Sequence, residues 1–418
     1  MSAELSHFSA VSGAEERPLK ILMVAPTSFF GHYGGHIRIL EETRALQELG
    51  HDVTVVTYYK GQDVPDVRIV RTAPLPWRAD YEVGSSRHKL VFDLYLAPKV
   101  LQTGLRLRPH IVHGHMHEGA LIGGALARLL RVPLVFDFQG SLTGEMLDHG
   151  FIRPDGVAYR AWRRAERAIC RLPHAILTSS HLAQRLLQTQ FGVPPARIFP
   201  LPDCADIVHF APGCTTEAEK AQLRRQLAIP PGRPVVAYLG LLAGYQGTEH
   251  LLQAAAYLKA AGEDVHFLIM GYPNEDRYRE MARHLGVADR VTLTGRVDYY
   301  HDAPSFLSLG DIAVSPKMSA TEGSGKVLNY MAMGQPVVAF DSPVHREYLA
   351  EWGVYVPPGD VDGLANAVAS LVHDPRRRQL IGDRLRSRAT AHYGWRAAGQ
   401  RIASLYTNLL YQNSVRIA

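Results

Sequence analysis

Short apolar runs alternate along this chain with segments whose apolar residues recur every three or four positions. Residues 19–25 form one such run, 36–49 have helical spacing, and 53–57 form the next run. A short, continuous apolar run is typical of a strand buried in a parallel sheet, and a period near 3.6 is typical of a helix packed on it. The start of the chain therefore predicts a β–α–β unit.

The same alternation occurs in two halves, separated by a proline-rich stretch at 200–234. Further strands are predicted at 109–117, 132–138, 175–178 and 197–201, and then at 235–239, 266–270, 291–294, 312–315, 337–340 and 354–356. Strands that alternate with helices in both halves predict an α/β protein with two doubly wound, Rossmann-like domains. We place a loose polar tail at 1–18, one domain at 19–203 and a second at 204–394.

Composition and charge narrow the class of protein. The 418 residues are too many for one ordinary core, and 46% hydrophobic with 20% charged residues is typical of a soluble globular chain. The net charge of +5, from 45 basic and 40 acidic residues, is too diffuse to indicate a nucleic-acid partner. Three cysteines without metal-ligand spacing favour a reducing compartment, and we expect a cytoplasmic protein.

One predicted helix, 155–172, is strongly basic. Its arginines at helical intervals are Arg160, Arg163, Arg164, Arg167 and Arg171, opposite a mainly apolar face. A solvated surface helix explains this pattern, and so does attraction to an anionic acceptor or lipid surface. No apolar run approaches the ~18 residues of a membrane span. Any membrane contact is therefore expected to be peripheral, at the inner face of the membrane through this basic face.

The stretch 321–336, TEGSGKVLNYMAMGQP, offers chemistry of its own. Gly323, Ser324 and Gly325 stand where a helix begins after a strand, and such a start attracts anions through its unpaired amides. Lys326 adds a positive charge, and the carboxylate of Glu322 can accept hydroxyl groups. This combination suits a phosphorylated, hydroxyl-rich ligand such as a nucleotide sugar. A helix cap with a surface lysine is the alternative interpretation.

Two further motifs lie in the first half. Glycines after the first strand (Gly31, Gly34 and Gly35) form a flexible turn that lacks the dinucleotide fingerprint GxGxxG. His113, His115 and His117 alternate, which predicts that their side chains share one face of an extended segment. Such a set could bind a metal ion. Hydrogen bonding to backbone or substrate is favoured, because no acidic or histidine motif nearby completes a metal site.

Two such domains place a ligand cleft between the carboxyl ends of their strands. The first domain is expected to contribute Gly34, Gly35, His115 and Gln139 to the cleft. The second is expected to contribute Gly240, Gly244, Glu322, Gly325, Lys326 and Asn329. Amides, a lysine and a glutamate in one cleft fit the transfer of a group away from a phosphate.

Taken in order, several segments resemble the retaining glycosyltransferases of family 4, which have the GT-B fold. They are FFGHYGGHIRILEETRALQELGHDVTVVT, HIVHGHMHEGA, VFDFQGS, LPDCADIVHFAP and TEGSGKVLNYMAMGQPVVAFD. The resemblance implies a nucleotide-diphosphate sugar as donor co-substrate, with no further cofactor and no catalytic metal. It also implies a saccharide, lipid or small-molecule acceptor on the first domain. A final helix, about 395–418, is implied to pack back on that domain.

Site residues follow from matching positions. The catalytic candidates are His115, Glu322 and Lys326. The resemblance and the cleft residues together give donor-binding candidates Gly34, Gly35, Gly240, Gly244, Gln246, Arg296, Val297, Gly323, Ser324, Gly325 and Asn329. The acceptor-side candidates are His32, His36, His117 and Gln139.

This chain also departs from the family pattern. Leu241 and Gln246 stand near the positions of the usual arginine and lysine after the first strand of the second domain. Lys326 is our first candidate to replace them, ahead of Lys317, because a helix start suits an anion. Asn329 stands for the second acid, with six intervening residues instead of seven. Two alternatives to a transferase stay open: a non-catalytic relative that binds nucleotide or carbohydrate, and a metal-dependent hydrolase.

Overall fold

A computed structural model of the protein describes residues 17–74, 89–148, 150–319 and 323–417. The predicted tail at 1–18 thus lies almost entirely outside the described residues. The strands are β1 (Lys20–Ala25), β2 (Asp52–Thr57), β3 (Arg68–Arg71), β4 (Ile111–His115), β5 (Leu134–Phe138), β6 (Ala175–Thr178), β7 (Ile198–Pro200), β8 (Val235–Leu239), β9 (His266–Met270), β10 (Val291–Gly295), β11 (Ile312–Ser315), β12 (Val337–Phe340) and β13 (Val354–Val356).

Helices connect these strands. They are α1 (Gly34–Glu48), α2 (Lys89–Leu107), α3 (Met116–Leu130), α4 (Leu142–Asp148), α5 (Val157–Ile169), α6 (His181–Thr189), α7 (Glu217–Gln226), α8 (Thr248–Ala260), α9 (Glu275–His284), α10 (Ala303–Leu307), α11 (Gly325–Ala332), α12 (Pro343–Leu349), α13 (Val361–Val372), α14 (Pro375–His392) and α15 (Trp395–Ile417). None of the helices in the described ranges is both long and apolar enough to span a bilayer.

The strands form two parallel sheets, ordered β3-β2-β1-β4-β5-β6-β7 and β10-β9-β8-β11-β12-β13. In each sheet the order reverses beside the first strand, which creates a crevice at the carboxyl strand ends. Central strands such as β1 are buried on both faces, because helices cover both sides of a parallel sheet. The predicted fold class, two doubly wound Rossmann-like domains, is confirmed.

The apolar pattern missed three elements of the first domain, namely β3, α2 and α4. The edge strand β3 is only four residues long and partly exposed, so it lacks the signature of a buried strand. Helix α2 contains Pro98, which usually argues against a helix because it has no N–H to donate. Four of its residues, Phe92, Leu96, Val100 and Gly104, are nevertheless buried. Packing on the sheet therefore outweighs the local preference of the proline.

The last helix returns to the first domain. Helix α15 packs against α1, and the hydroxyl of Tyr406 lies 2.7 Å from Nδ1 of His113 in β4. An isolated parallel bridge joins Ala205 to Gly394 just before this helix. The C-terminal helix thus packs against α1 and β4 of the first domain.

The basic helix α5 corrects one expectation. Val157, predicted on the apolar face, is 79% exposed, whereas Glu166 is fully buried. Glu166 accepts hydrogen bonds from Ser141 Oγ (2.8 Å) and from the backbone N–H of Leu142 (2.9 Å), so its carboxylate caps the start of α4. Arg163 lies 4.2 Å above the ring of Phe191. Part of the predicted basic face is therefore used within the protein, and its contact with lipid stays a prediction.

Candidate active site

A cleft with a cavity of about 330 Å³ lies between the carboxyl ends of the two sheets. The first domain lines it with residues that follow β1, β4 and β5, and the second with residues that follow β8, β9 and β11. The two walls touch where the backbone N–H of Tyr299 donates to Nδ1 of His32 at 3.0 Å. The topology therefore produces the cleft where the sequence predicted it, and His32 lies at its rim as a contact between the domains.

Lys326 stands in the first turn of α11 and lines the cleft. Its Nζ lies 4.3 Å from the centre of the Tyr238 ring and donates to Oε1 of Gln246 at 2.8 Å. Gly240 has a φ of 154°, and a Cβ atom there would lie only 3.0 Å from Nζ of Lys326. A glycine is needed at this position to let the ammonium group reach the turn after β8, where the predicted phosphate contacts lie.

A second ammonium group joins Lys326 in the cleft. Lys317, after β11, is 6% exposed, and its Nζ donates to the carbonyl of Gly323 at 2.5 Å. It thereby holds the segment that leads into α11, whose residues Gly323, Ser324 and Gly325 also line the cleft. Glu322 falls within 320–322, outside the described residues, and its role stays a prediction.

Asn329 also lines the cleft, and its Oδ1 accepts a hydrogen bond from the hydroxyl of Tyr299 at 2.9 Å. The next residue, Tyr330, has seven residues between it and Glu322, the spacing that the family pattern gives to its second acid. Its buried hydroxyl accepts from the backbone N–H of Leu239 at 2.7 Å. Tyr330 thus fixes the turn at Gly240 and was missed by the sequence comparison, which took Asn329 for that position.

Of the candidates near the expected base, Val297 lines the cleft and Arg296 does not. The guanidinium of Arg296 lies 5.5 Å from the centre of the Tyr272 ring, and that tyrosine lines the cavity in its place. Gly244 is likewise absent from the lining, whereas its neighbour Tyr245 is part of it. The second domain therefore offers aromatic faces that sequence reasoning did not single out.

On the opposite wall, Gly34 and Gly35 begin α1 and face the cavity. Gln139 stands beside them, and its Nε2 donates to Oδ2 of Asp137 at 2.8 Å. The start of α1 places further unpaired amides across the cleft from α11. Two helix starts from the two domains therefore point toward one space.

His36 does not take its predicted place on the acceptor side. It is 2% exposed; the N–H of Gly31 donates to its Nδ1 at 2.7 Å, and its Nε2 lies 2.5 Å from Oγ1 of Thr27. Burial lowers the pKa of His36 to about 3, because a charged imidazole would lose its hydration there. The residue fixes the glycine turn in its neutral form, and its position behind the wall corrects the expectation.

This arrangement predicts a pH-dependent stability. Because the pKa of folded His36 lies below the ordinary value near 6.5, the unfolded chain binds the extra proton between these values. The contribution of neutral His36 to the free energy of unfolding is thus complete above pH ~6.5. It falls by up to about 1.4 kcal/mol per pH unit on acidification. Chemical denaturation from pH 7 to 4 should show the gap between wild type and His36→Gln shrinking. The exposed His284, replaced in the same way, serves as control, and a pH-independent gap would contradict the assignment.

His115 is placed differently from the expectation. Its side chain is fully buried beneath the cleft wall, with Nδ1 3.1 Å from Oδ2 of Asp137. Asp137 also accepts from Nε (2.9 Å) and Nη2 (2.7 Å) of Arg38. Burial alone would raise the pKa of Asp137, but Arg38 and His115 lower it below its ordinary value. In this arrangement His115 supports Asp137 and Gln139, and its direct contact with sugar stays a prediction.

The expectation that three histidines share a face is wrong. The rings of His113 and His115 stack with centres 4.5 Å apart, but the strand ends there and Met116 adopts a φ of 57°. His117 consequently lies in α3, packed between Phe136 and Phe138 and 3.4 Å from Glu166 Oε1. The three histidines therefore do not form one site, and His117 is 4% exposed and outside the cleft lining, which corrects its expected place on the acceptor side.

Asp203 is a cleft residue that the motifs did not reveal. Its Oδ1 accepts from Nη1 of Arg38 at 3.0 Å. A Cβ atom on Gly323 would lie 2.2 Å from its Oδ2, so a glycine is required where the second domain meets this carboxylate. Arg38 and Asp203 both line the cleft. The segment LPDCADIVHFAP carried the one sequence signal for this position.

Comparison with known proteins agrees with this architecture. Residues 34–204 match the family described as "Glycosyl transferase 4-like domain", and residues 219–388 match "Glycosyl transferases group 1". The two matches fall on the two domains that the sheets define.

Curated relatives carry transferase names. The alpha-D-kanosaminyltransferase of Streptomyces kanamyceticus is 30% identical over 319 residues, which cover 74% of this chain and 81% of the relative. The 2-deoxystreptamine N-acetyl-D-glucosaminyltransferase of Streptomyces fradiae is 28% identical over 373 residues, or 85% of this chain and 86% of the relative.

Solved structures share the fold at lower identity. Sucrose-phosphate synthase from Thermosynechococcus elongatus has a TM-score of 0.78 at 20% identity, covering 94% of this chain and 100% of that one. HepE of Anabaena in complex with UDP-glucose has a TM-score of 0.74 at 18% identity, covering 93% and 100%. Fold, family matches and relatives together show that this chain belongs to the family-4 glycosyltransferases with the GT-B fold.

Proposed function

We propose that this glycosyltransferase moves a sugar from a nucleoside-diphosphate sugar to its acceptor with retention of anomeric configuration. The observation that carries the proposal is a pair of ammonium groups in the cleft, Lys326 at the start of α11 and Lys317 after β11. They face the start of α1, at Gly34 and Gly35, across the cleft. Lysine side chains on one side of the cavity and a helix start on the other are both groups that favour an anion such as a diphosphate.

The leaving diphosphate gains negative charge as the bond to the sugar breaks. Donors fixed in advance, such as Lys326 over Tyr238, stabilise that charge without reorganising. After β8, Leu241 and Gln246 occupy the positions at which the family usually has an arginine and a lysine. The side chain of Gln246 instead accepts a hydrogen bond from Lys326, which brings that ammonium group to the same turn. The protein's own lysines thereby do the work that a metal ion would otherwise do, and we propose no catalytic metal in the cleft.

We propose that the diphosphate leaves and the acceptor hydroxyl attacks on the same face of the sugar, which retains the anomeric configuration. The leaving phosphate acts as the base that takes the proton of this hydroxyl. A double displacement would need a carboxylate free to attack the sugar. Asp203 is in the cleft, but its Oδ1 is held by Arg38 at 3.0 Å. This pairing favours the route without a protein nucleophile.

The acceptor is proposed to lie against the first domain, near Gln139, Lys89 and Glu145, which line that end of the cavity. Lys89 is bonded to Glu118 at 2.8 Å, so charged groups of both signs are present there. Both Streptomyces relatives are named as sugar transferases. The name of the Streptomyces fradiae relative gives 2-deoxystreptamine as the acceptor. Polyhydroxylated amino compounds are therefore the first acceptors to test, before saccharides and lipids.

Ligand-induced stabilisation tests the donor class. A nucleoside diphosphate that binds only the folded protein should stabilise it by about 2.7 kcal/mol at a concentration of 100 times its Kd. We expect one of the uridine, guanosine, adenosine or thymidine diphosphates to raise Tm, and the matching nucleotide sugar to be hydrolysed slowly. Hydrolysis should survive brief chelation. If none of these nucleotides raises Tm at millimolar concentration, the proposal is wrong.

A further inference from the structure

A second polar cluster lies behind the wall of the cleft. Glu42 of α1 and His113 and His115 of β4 are each 0% exposed. One ligand atom from each of these side chains lies within 4.8 Å of the other two. Glu42 Oε2 and His113 Nε2 are 3.9 Å apart. Three groups that can bind a cation therefore converge in the interior, apart from the donor site.

The atoms that face one another in this cluster have no hydrogen-bond partner. They are both carboxylate oxygens of Glu42, Nε2 of His113 and Nε2 of His115. Oε1 of Glu42 lies 3.0 Å from Nε of Arg38, which is an ion pair without hydrogen-bond geometry. Buried polar atoms are almost always satisfied, because each one left without a partner costs about 1–3 kcal/mol. Because one ligand atom from each of the three side chains converges here, the unpartnered atoms indicate something that they bind together.

The other ring nitrogen of each histidine is already bonded. Nδ1 of His113 lies 2.7 Å from the hydroxyl of Tyr406, and Nδ1 of His115 lies 3.1 Å from Asp137 Oδ2. The carboxylate of Asp137 can only accept from Nδ1 of His115, which leaves Nε2 of that ring with a free lone pair, and the hydroxyl of Tyr406 can accept from His113 in the same way. Nε2 of His113 lies 3.9 Å from Oε2 of Glu42, and His115 has a ligand atom within 4.8 Å of both residues.

The balance of charged side chains around Arg38 also favours a bound cation. Arg38 is the cation that contacts Glu42, Asp137 and Asp203, at 3.0, 2.7 and 3.0 Å. Asp203 is 17% exposed in the cleft, but Glu42 and Asp137 are fully buried, so in their ionised forms they leave one negative charge that the guanidinium does not balance. Burying such an excess without compensation is strongly unfavourable. A divalent cation beside Glu42 would balance it.

We propose that Glu42, His113 and His115 bind a divalent transition-metal ion, with zinc as the best match. Two imidazole nitrogens and one carboxylate oxygen are a ligand set that Zn²⁺ takes at about 2.0–2.2 Å. Bonds of that length bring neighbouring ligand atoms to about 3.3 Å in a tetrahedral site. The present separations, which are within 4.8 Å, must therefore shorten when the ion binds.

The metal has a structural role in this proposal. It joins α1, which carries Gly34 and Gly35, to β4, whose His113 is bonded to Tyr406 of the returning helix α15. Fixing these elements also fixes Arg38 and Asp137, and through Asp137 the cleft residue Gln139. The ion acts from behind the wall and takes no part in the transfer of the sugar.

Metal analysis of protein purified without a histidine tag tests the proposal. Cells grown with added zinc should yield about one Zn²⁺ per chain, and growth with cobalt should yield the visible absorption of a Co²⁺ site with nitrogen and oxygen ligands. Glu42→Gln, which keeps size and shape, should lower the metal content at least tenfold and remove the cobalt spectrum. His115→Gln should do the same.

His117→Gln is the matched control, because His117 lies two residues beyond His115, is also buried at 4% exposure, and contacts Glu166 instead. Its metal content should equal that of the wild type. Folding of each variant is checked by its circular dichroism spectrum. If wild-type protein contains no bound metal after either growth, the proposal is wrong. Protonation of Glu42, or a buried water molecule, would then satisfy the buried polar atoms of the cluster. Equal metal loss in His117→Gln would overturn it as well.

Discussion

Replacing Lys326 with Met is expected to lower kcat/KM by about 10- to 150-fold. The estimate follows from about 1.5–3 kcal/mol for one charge-assisted hydrogen bond to the leaving diphosphate, at 1.4 kcal/mol per factor of ten. Because charge develops on the phosphate in the transition state, kcat should fall more than the affinity for the donor. Steady-state kinetics with the nucleotide sugar found by stabilisation, and titration of the nucleoside diphosphate, measure the two effects separately.

Lys220→Met is the control for this experiment. Lys220 lies on α7 in the same domain and pairs with the exposed Glu217, so its removal should leave kcat and KM unchanged. Lys317→Met provides a second comparison, since Lys317 also lines the cleft but donates to the carbonyl of Gly323. If Lys326→Met retains wild-type kcat/KM, Lys326 does not replace the missing family cations.

Replacing Arg38 with Met is expected to have the largest effect on stability, about 3–5 kcal/mol. The variant leaves Asp137, Glu42 and Asp203 close together without the guanidinium that contacts all three. Chemical denaturation followed by tryptophan fluorescence and circular dichroism should show a lower midpoint. Arg44→Met is the matched control: Arg44 lies on the same helix but is 38% exposed, and its ion pair with Glu41 spans 3.8 Å.

The effect of Arg38→Met should depend on pH in a defined direction. Arg38 helps to hold the pKa of Asp137 below its ordinary value, so the pair stabilises the fold fully above about pH 3.9, the pKa in the unfolded chain. As the pH falls below that value the unfolded state takes up a proton first, and the stabilisation is lost. The gap between wild type and variant should therefore narrow below pH 4. If the difference in free energy of unfolding between wild type and Arg38→Met does not change with pH, Arg38 stabilises the fold through its packing and not through its charge.

Much of the fold could be predicted because buried parallel strands leave a strong local signal. The runs at 19–25, 235–239 and 266–270 coincide with central strands whose residues are covered on both faces. Helix α5 shows where this reasoning fails. Its local pattern placed Val157 on the apolar face, but Val157 is 79% exposed, whereas the carboxylate of Glu166 is buried at the start of α4, a contact 23 to 25 residues away in sequence.

The site was predicted unevenly for the same reason. Gly34, Gly35, Gln139 and Lys326 follow directly from strand ends and helix starts, and the structure brings them to one cleft. His36 and His117 have the right chemistry, but the rotation of their helices turns them into the interior. A side chain's direction depends on where the preceding strand ends, and at His117 a single residue, Met116 with its positive φ, decides it.

The sequence by itself determined two parallel α/β domains, the position of the cleft and a helix start near 323–326 that lines it. These depend on local periodicity and on backbone groups that any parallel sheet exposes at its carboxyl edge. Only the tertiary structure decided which polar side chains reach the cavity. It placed Lys326 over Tyr238, paired Asp203 with Arg38, and enclosed His113 and His115 with Glu42, because these contacts join residues far apart in the chain. Their energies come from burial and charge pairing, which no local pattern specifies.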